Sequence, residues 1–134
     1  MSMKKSLLIF VAVIVTVTVI SVMTGGSNSM QIDMSDTAIS FFGIDDFRHE
    51  VAYSDIVSVS LEEVSDWSGW GGHEFGPFRV GHMTDYVLFV TTRSDNVIIA
   101  TLTDGSKMVF NYNNRFSTED IYYMLRENMV KSLI

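Results

Sequence analysis

YVLFVTTRSDNVIIATLTDGSKMVFNY, running from Tyr86 to Tyr112, divides into three apolar runs: Tyr86 to Thr92, Asn96 to Leu102 and Lys107 to Tyr112. Valine, isoleucine, phenylalanine and threonine dominate them, and such side chains favour the pleated, half-buried surface of a strand. Ser94-Asp95 and Asp104-Gly105 part the runs, and Asp-Gly tolerates the positive φ that a tight hairpin turn demands. Three successive antiparallel strands, a meander, are expected.

Toward the N-terminus the same period of two recurs. Phe47, His49, Val51 and Tyr53 alternate with Arg48, Glu50 and Ala52, and Thr37 to Phe42 precedes them across Gly43-Ile44-Asp45-Asp46, the pattern of a hairpin. Ile56 to Leu61 forms another run with small polar residues on one face, and Phe78-Arg79-Val80 a shorter one between Gly76-Pro77 and Gly81. Toward the C-terminus the period changes. Ile121, Met124, Leu125 and Met129 fall on one helical stripe, Ser117 or Thr118 stands where a cap belongs, and Glu119, Asp120 and Lys131 suit the helix dipole. The spacing predicts a helix from Thr118 to Lys131.

Leu7 to Met23, LLIFVAVIVTVTVISVM, carries no charge and as a helix would span about 26 Å, close to a hydrocarbon core of about 30 Å. With Lys4 and Lys5 before it and no base after it until Arg48, the positive-inside rule expects a cytoplasmic N-terminus and an extracytoplasmic domain. Residues 1–24 are read as a transmembrane anchor, with a signal peptide and secretion after cleavage as the alternative. Residues 25–30 follow as a flexible tether and 31–134 as one β domain.

The sequence has no cysteine, which excludes disulfides, thiolate metal sites and a lipid anchor on cysteine. Nine bases less Lys4 and Lys5 leaves seven against 16 acids, a formal charge of −9 beyond the apolar segment. Such a domain repels nucleic acid and anionic headgroups, so neither is expected as a partner.

Six or seven short antiparallel strands closed by a C-terminal helix is the element order of pleckstrin-homology-like (PH-like) barrels. Tyr53-Ser54-Asp55-Ile56 before a strand, the glycine-rich stretch Gly69 to Gly81, Tyr86-Val87-Leu88-Phe89-Val90, Leu102 to Asn111 and Thr118-Glu119-Asp120-Ile121-Tyr122 together resemble bacterial PH-like domains. The resemblance covers roughly residues 30 to 131 and rests on packing and turn motifs. It implies a mainly β fold, a small antiparallel barrel or sandwich of about seven strands capped by one α-helix and preceded by the membrane helix. It also implies a membrane-associated setting. Lipid-binding PH domains place bases around their first hairpin, where this chain has Gly43-Ile44-Asp45-Asp46, so phosphoinositide binding is not expected.

Trp67 and Trp70, set among Gly69, Gly71 and Gly72, are the candidate partner-binding residues, with Phe75 and Phe78 as further members of the cluster. The opposing reading is that both indoles fold back to close an end of the barrel. His73, Glu74, His82 and Asp85 contain metal-ligand atoms, but their spacing matches no zinc signature. Asp33, Asp36, Asp45 and Asp46 lack the twelve-residue calcium loop and read as turn and surface charges. No nucleophile elbow, phosphate loop or dinucleotide fingerprint is present, and Glu62 with Glu74 is the remaining carboxylate pair to consider for glycoside cleavage. No catalytic residue, metal or cofactor is expected. The expected function is a non-enzymatic, membrane-tethered module that binds a protein or peptide partner. A structural accessory of a membrane complex and an envelope-polymer hydrolase are the alternatives.

Overall fold

The computed structural model describes residues 28–133. The apolar segment Leu7 to Met23 lies outside them, and among the described residues no helix is long and apolar enough to cross a membrane. The described residues are mainly β, with nine strands in two sheets and one C-terminal helix. β1 (Gln31–Met34), β2 (Ala38–Phe42) and β3 (Arg48–Ala52) form an antiparallel three-stranded sheet in that order. A 3-10 turn at Tyr53–Asp55 leads into β4 (Ile56–Glu63). β5 (His73–Phe75), β6 (Phe78–His82), β7 (Tyr86–Thr91), β8 (Asn96–Leu102) and β9 (Lys107–Phe110) complete a six-stranded sheet ordered β4-β8-β9-β7-β6-β5.

Of the expected small antiparallel barrel or sandwich of about seven strands, the mainly β fold with its C-terminal helix stands, while the sheets do not close into a barrel and face each other as two open sheets. Ile32, Met34, Ile39, Phe41 and Val51 project from the smaller sheet onto Val80, Phe89, Ile98, Ala100, Met108 and Phe110 of the larger. Helix α1 (Arg115–Ser132) adds Ile121 and Leu125 to the same core. Edge-to-face contacts of Phe41 with Phe89 and Phe110, at 5.4 and 4.7 Å between ring centroids, mark its centre. β1 and β5 extend the strands expected from the alternation. Both are short, and Gln31-Ile32-Asp33-Met34 is buried at three of its four positions, which masks the period of two.

The meander is also corrected: β9 lies between β8 and β7, antiparallel to the first and parallel to the second. Strands two apart in a sheet are separated by about 10 Å, which the four residues between Thr91 and Asn96 can span over the end of β9. Asn111 makes the crossing possible. Its Oδ1 accepts the Thr91 N–H at 2.7 Å while Nδ2 donates to the Thr91 and Asn96 carbonyls at 3.0 and 3.1 Å. One fully buried amide thus replaces the ladder bonds that the crossing strand ends forgo. The sequence trace of this arrangement is the unbroken apolar run of each central strand, Leu88-Phe89-Val90 and Val97-Ile98, buried on both faces. The Asp104-Gly105 turn is where expected, with Gly105 at φ +87° and the Asp104 carboxylate accepting the Ser106 N–H at 2.9 Å.

Helix α1 begins three residues before its expected start because Asn114, not Ser117 or Thr118, is the cap: its side chain accepts the Ser117 N–H at 3.0 Å. Thr118 is buried instead, its hydroxyl accepting the Tyr112 N–H at 3.0 Å. Residues 28–30, expected within the tether, join the fold. Asn28 Oδ1 accepts the Asp45 N–H at 2.6 Å, Ser29 N–H donates to the Gly43 carbonyl at 2.9 Å, and Met30 is buried.

Candidate functional site

A second apolar cluster lies on the outer face of the six-stranded sheet, away from the core. Leu88 and Val90 from β7, Val97 from β8, Val109 from β9 and Val64 after β4 are buried there, with Trp67, Trp70, Tyr86 and Ile99 packed against them. Because β7, β8 and β9 are apolar on both faces, this outer surface needs a cover, and the β4–β5 loop supplies it. The loop lies close on the sheet: a Cβ at Gly72, which has φ +82°, would stand 3.1 Å from a Leu88 methyl and 3.2 Å from the Val80 carbonyl oxygen. Gly71 and Gly72, which suggest a mobile loop in the sequence, therefore serve close approach, whereas a Cβ at Gly69 would meet nothing within 4 Å.

Four contacts pin the loop. Asp66 turns it, its carboxylate accepting the Ser68 N–H at 2.9 Å and the Ser68 hydroxyl at 2.7 Å, which together hold this carboxyl below its usual range. The Trp70 N–H donates to the Trp67 carbonyl at 3.3 Å. The guanidinium of Arg79 donates to the same carbonyl at 2.8 Å while bridging to Glu74 at 2.7 Å. The Tyr86 hydroxyl donates to the Trp70 carbonyl. The two indoles are half-buried, tilted against each other at 5.5 Å, and Trp70 meets the Tyr86 ring edge-on at 6.5 Å.

Beside Trp70 the cover thins, leaving Ile99 half-buried while Val109 remains buried. A groove of about 300 Å³ opens there, lined by Trp70, Tyr86, Ile99, Val109, Gly105, Asp85 and Lys107. Its floor is aliphatic, one wall aromatic, and Asp85 and Lys107 place one charge of each sign along its length. That is the composition of a recognition surface, apolar with a few orienting polar groups.

The four sequence candidates are not brought together. Trp67 and Trp70 belong to the outer cluster, whereas Phe75 and Phe78, facing each other across the β5–β6 ladder, pack against the core between the sheets. Tyr86, Ile99, Lys107 and Val109 were not singled out from sequence. Their signal was the double-sided apolar pattern of β7 and β8, which calls for a second packing surface.

No group of three or more metal-ligating side chains forms among the described residues. Glu74 is held by Arg79, and His82 instead stacks on Phe47 at 5.2 Å. Glu62 and Glu74 lie on β4 and β5, the two opposite edges of the six-stranded sheet, so the carboxylate pair considered for glycoside cleavage is not assembled. Asp45 and Asp46 sit in the β2–β3 turn, while Asp33 lies on β1. No protein-family model matches the chain, and neither a curated protein nor a solved structure matches it.

Proposed function

We propose that the chain is a non-enzymatic interaction module that receives an extended segment of a protein partner in the groove beside Trp70. The observation that carries this reading is the pinned aromatic wall of Trp70 and Tyr86 beside a groove whose aliphatic lining is the half-buried Ile99 and the buried Val109. A rigid aromatic anchor loses little conformational freedom on binding, so contact area there converts efficiently into affinity. In this reading Leu7 to Met23 holds the module at the outer face of a membrane, and the fold is an open relative of PH-like domains. The parallel β7–β9 pair departs from the all-antiparallel order that the resemblance implies.

The test is site-specific photocrosslinking in whole cells, with the probe at Lys107 in the groove or at Arg126 on the helix. A discrete adduct at Lys107 alone, lost in Ile99→Lys while the melting temperature holds, is the expected result. No adduct at Lys107, or equal adducts at both positions, overturns the reading.

A second reading, an accessory subunit of a larger assembly, is favoured by Phe116, Tyr123 and Val130, exposed at 76%, 62% and 59% at every seventh position of α1. Such spacing forms a stripe along the outer face of a helix. Tyr123→Glu should then dissociate the assembly without unfolding the domain, and an unchanged assembly in that variant excludes it.

A further inference from the structure

The seam between the two sheets is not uniform. At its centre it is hydrocarbon, but at the rim where β3 meets β6 the packing passes from Phe89 to Phe47 at 5.5 Å, from Phe47 to His82 at 5.2 Å, and from His82 to His49 at 5.3 Å between centroids. The Phe47 ring lies nearly parallel to both neighbours, at 24° to Phe89 and 26° to His82. His49 comes from the edge strand of the smaller sheet and His82 from the larger, so the imidazoles meet across the gap. Neither imidazole takes part in a hydrogen bond or ion pair among the described residues.

We infer that His49 and His82 form a pH-sensitive clasp between the two sheets, closed while both imidazoles are neutral and released when they take up protons. Histidine is the side chain whose charge ordinarily changes between about pH 5 and 8. Two imidazolium rings at this separation repel, and neither has an anion to share the charge. Burial, reinforced by the nearby His82, already holds the His49 imidazole below its usual range, so the closed seam opposes its protonation.

The surroundings offer no compensating carboxylate. From β2, Phe41 stands opposite His49. On β3 itself Arg48 and Glu50 alternate to the other face, where Glu50 accepts the Ser40 hydroxyl at 3.3 Å. From β6 the same face brings Val80 and Phe78, while Arg79 points outward to Glu74. β7 contributes Val87, opposite His82, and Phe89, opposite Val80. From β5, His73, opposite Val80, adds a further imidazole rather than a counter-charge. After Glu50, the next acids along the chain, Asp45, Asp46 and Asp85, lie outside the strands and hydrogen-bond to neither ring among the described residues. Release of the clasp loosens β3, an edge strand whose ladder among the described residues runs to β2 alone and which otherwise packs through Val51, and uncovers Phe47.

Hydrogen exchange of the full chain in detergent, corrected for intrinsic rates and compared at about pH 7.5 and about pH 5.5, tests this directly. Protection in residues 48–52 and 78–82 should fall on the order of tenfold at the lower pH, while residues 97–102 and 107–110 keep theirs. His82→Gln, at an exposed position that leaves the fold intact, should remove the difference. Unchanged protection in β3 and β6, an equal loss over all strands, or a full loss persisting in His82→Gln each overturns the inference.

Discussion

Asn111 shows how much can depend on one buried amide. It serves three backbone groups at the β7–β8 crossing, and Asn111→Ala leaves the Thr91 N–H without its acceptor while the Thr91 and Asn96 carbonyls keep only the longer bonds from Ser94, at 3.4 and 3.3 Å. An orphaned buried group costs about 1–3 kcal/mol, so a loss of that order is expected in urea denaturation. Gly43 is a second such position. It adopts φ +100°, and a Cβ there would collide with the Ser29 carbonyl oxygen. Gly43→Ala should therefore cost more than about 1 kcal/mol and free residues 28–30 from the β2–β3 turn, seen as faster exchange of the Ser29 and Asp45 amides. Asn128 is the converse case. Its Oδ1 is buried without a partner among the described residues while its Nδ2 reaches the Tyr53 hydroxyl at 3.3 Å, and Tyr53 stays protonated because burial pushes its phenol up to about 12.

Among the elements, α1 and the tryptophan loop repay comparison. Removing the helix cap by Asn114→Ala should cost about 1 kcal/mol, measurable as a shift in the denaturation midpoint, whereas Ser117→Ala should do little. The expected start of α1 was displaced because Ser117, Thr118 and Glu119 carry better capping chemistry in sequence than Asn114 followed by Arg115-Phe116. The tertiary need to bury Thr118 against Tyr112 moved the start upstream. Most strands were legible from alternation and turn residues, since Thr37 to Phe42, Phe47 to Tyr53 and Asn96 to Leu102 each fall on an observed strand. The order of the strands was not, because hydrophobic period describes faces and carries no information about lateral neighbours. The candidate site was half legible: Trp67 and Trp70 stood out by residue type, while their partners on the sheet looked like ordinary strand residues. Trp67→Ala should destabilise by about 2 kcal/mol, because the indole covers Val90 and its neighbours rather than standing in solvent.

For the molecule as a whole, acid and base pull stability in opposite directions. The His49 imidazole is depressed in the folded state, so its contribution is present above the usual imidazole range and is lost as pH falls through it. Burial raises the Asp33 carboxyl above the ordinary aspartate range, and one of its oxygens is buried without a hydrogen-bond partner among the described residues. Its contribution is therefore full below that range and lost as pH rises through the folded pKa. Asp33→Asn should raise the urea midpoint at about pH 7 and flatten the profile on the acid side of His49's range. An unchanged midpoint there would mean that water reaches this carboxylate.

The position of β9 bears on how the chain must come to order during synthesis. A ribosome delivers β7 and β8 before the strand that belongs between them, so while β7 can pair with β6 and β8 with β4, each lacks its neighbour on the other side until residues 107–110 have emerged. Through that interval the flanks of Leu88-Phe89-Val90 and Val97-Ile98 stand open to any passing strand, the vulnerable state from which misassembly begins. The tight Asp104-Gly105 turn shortens the wait, since it lets β8 and β9 zip together first and enter beside β7 as a finished hairpin.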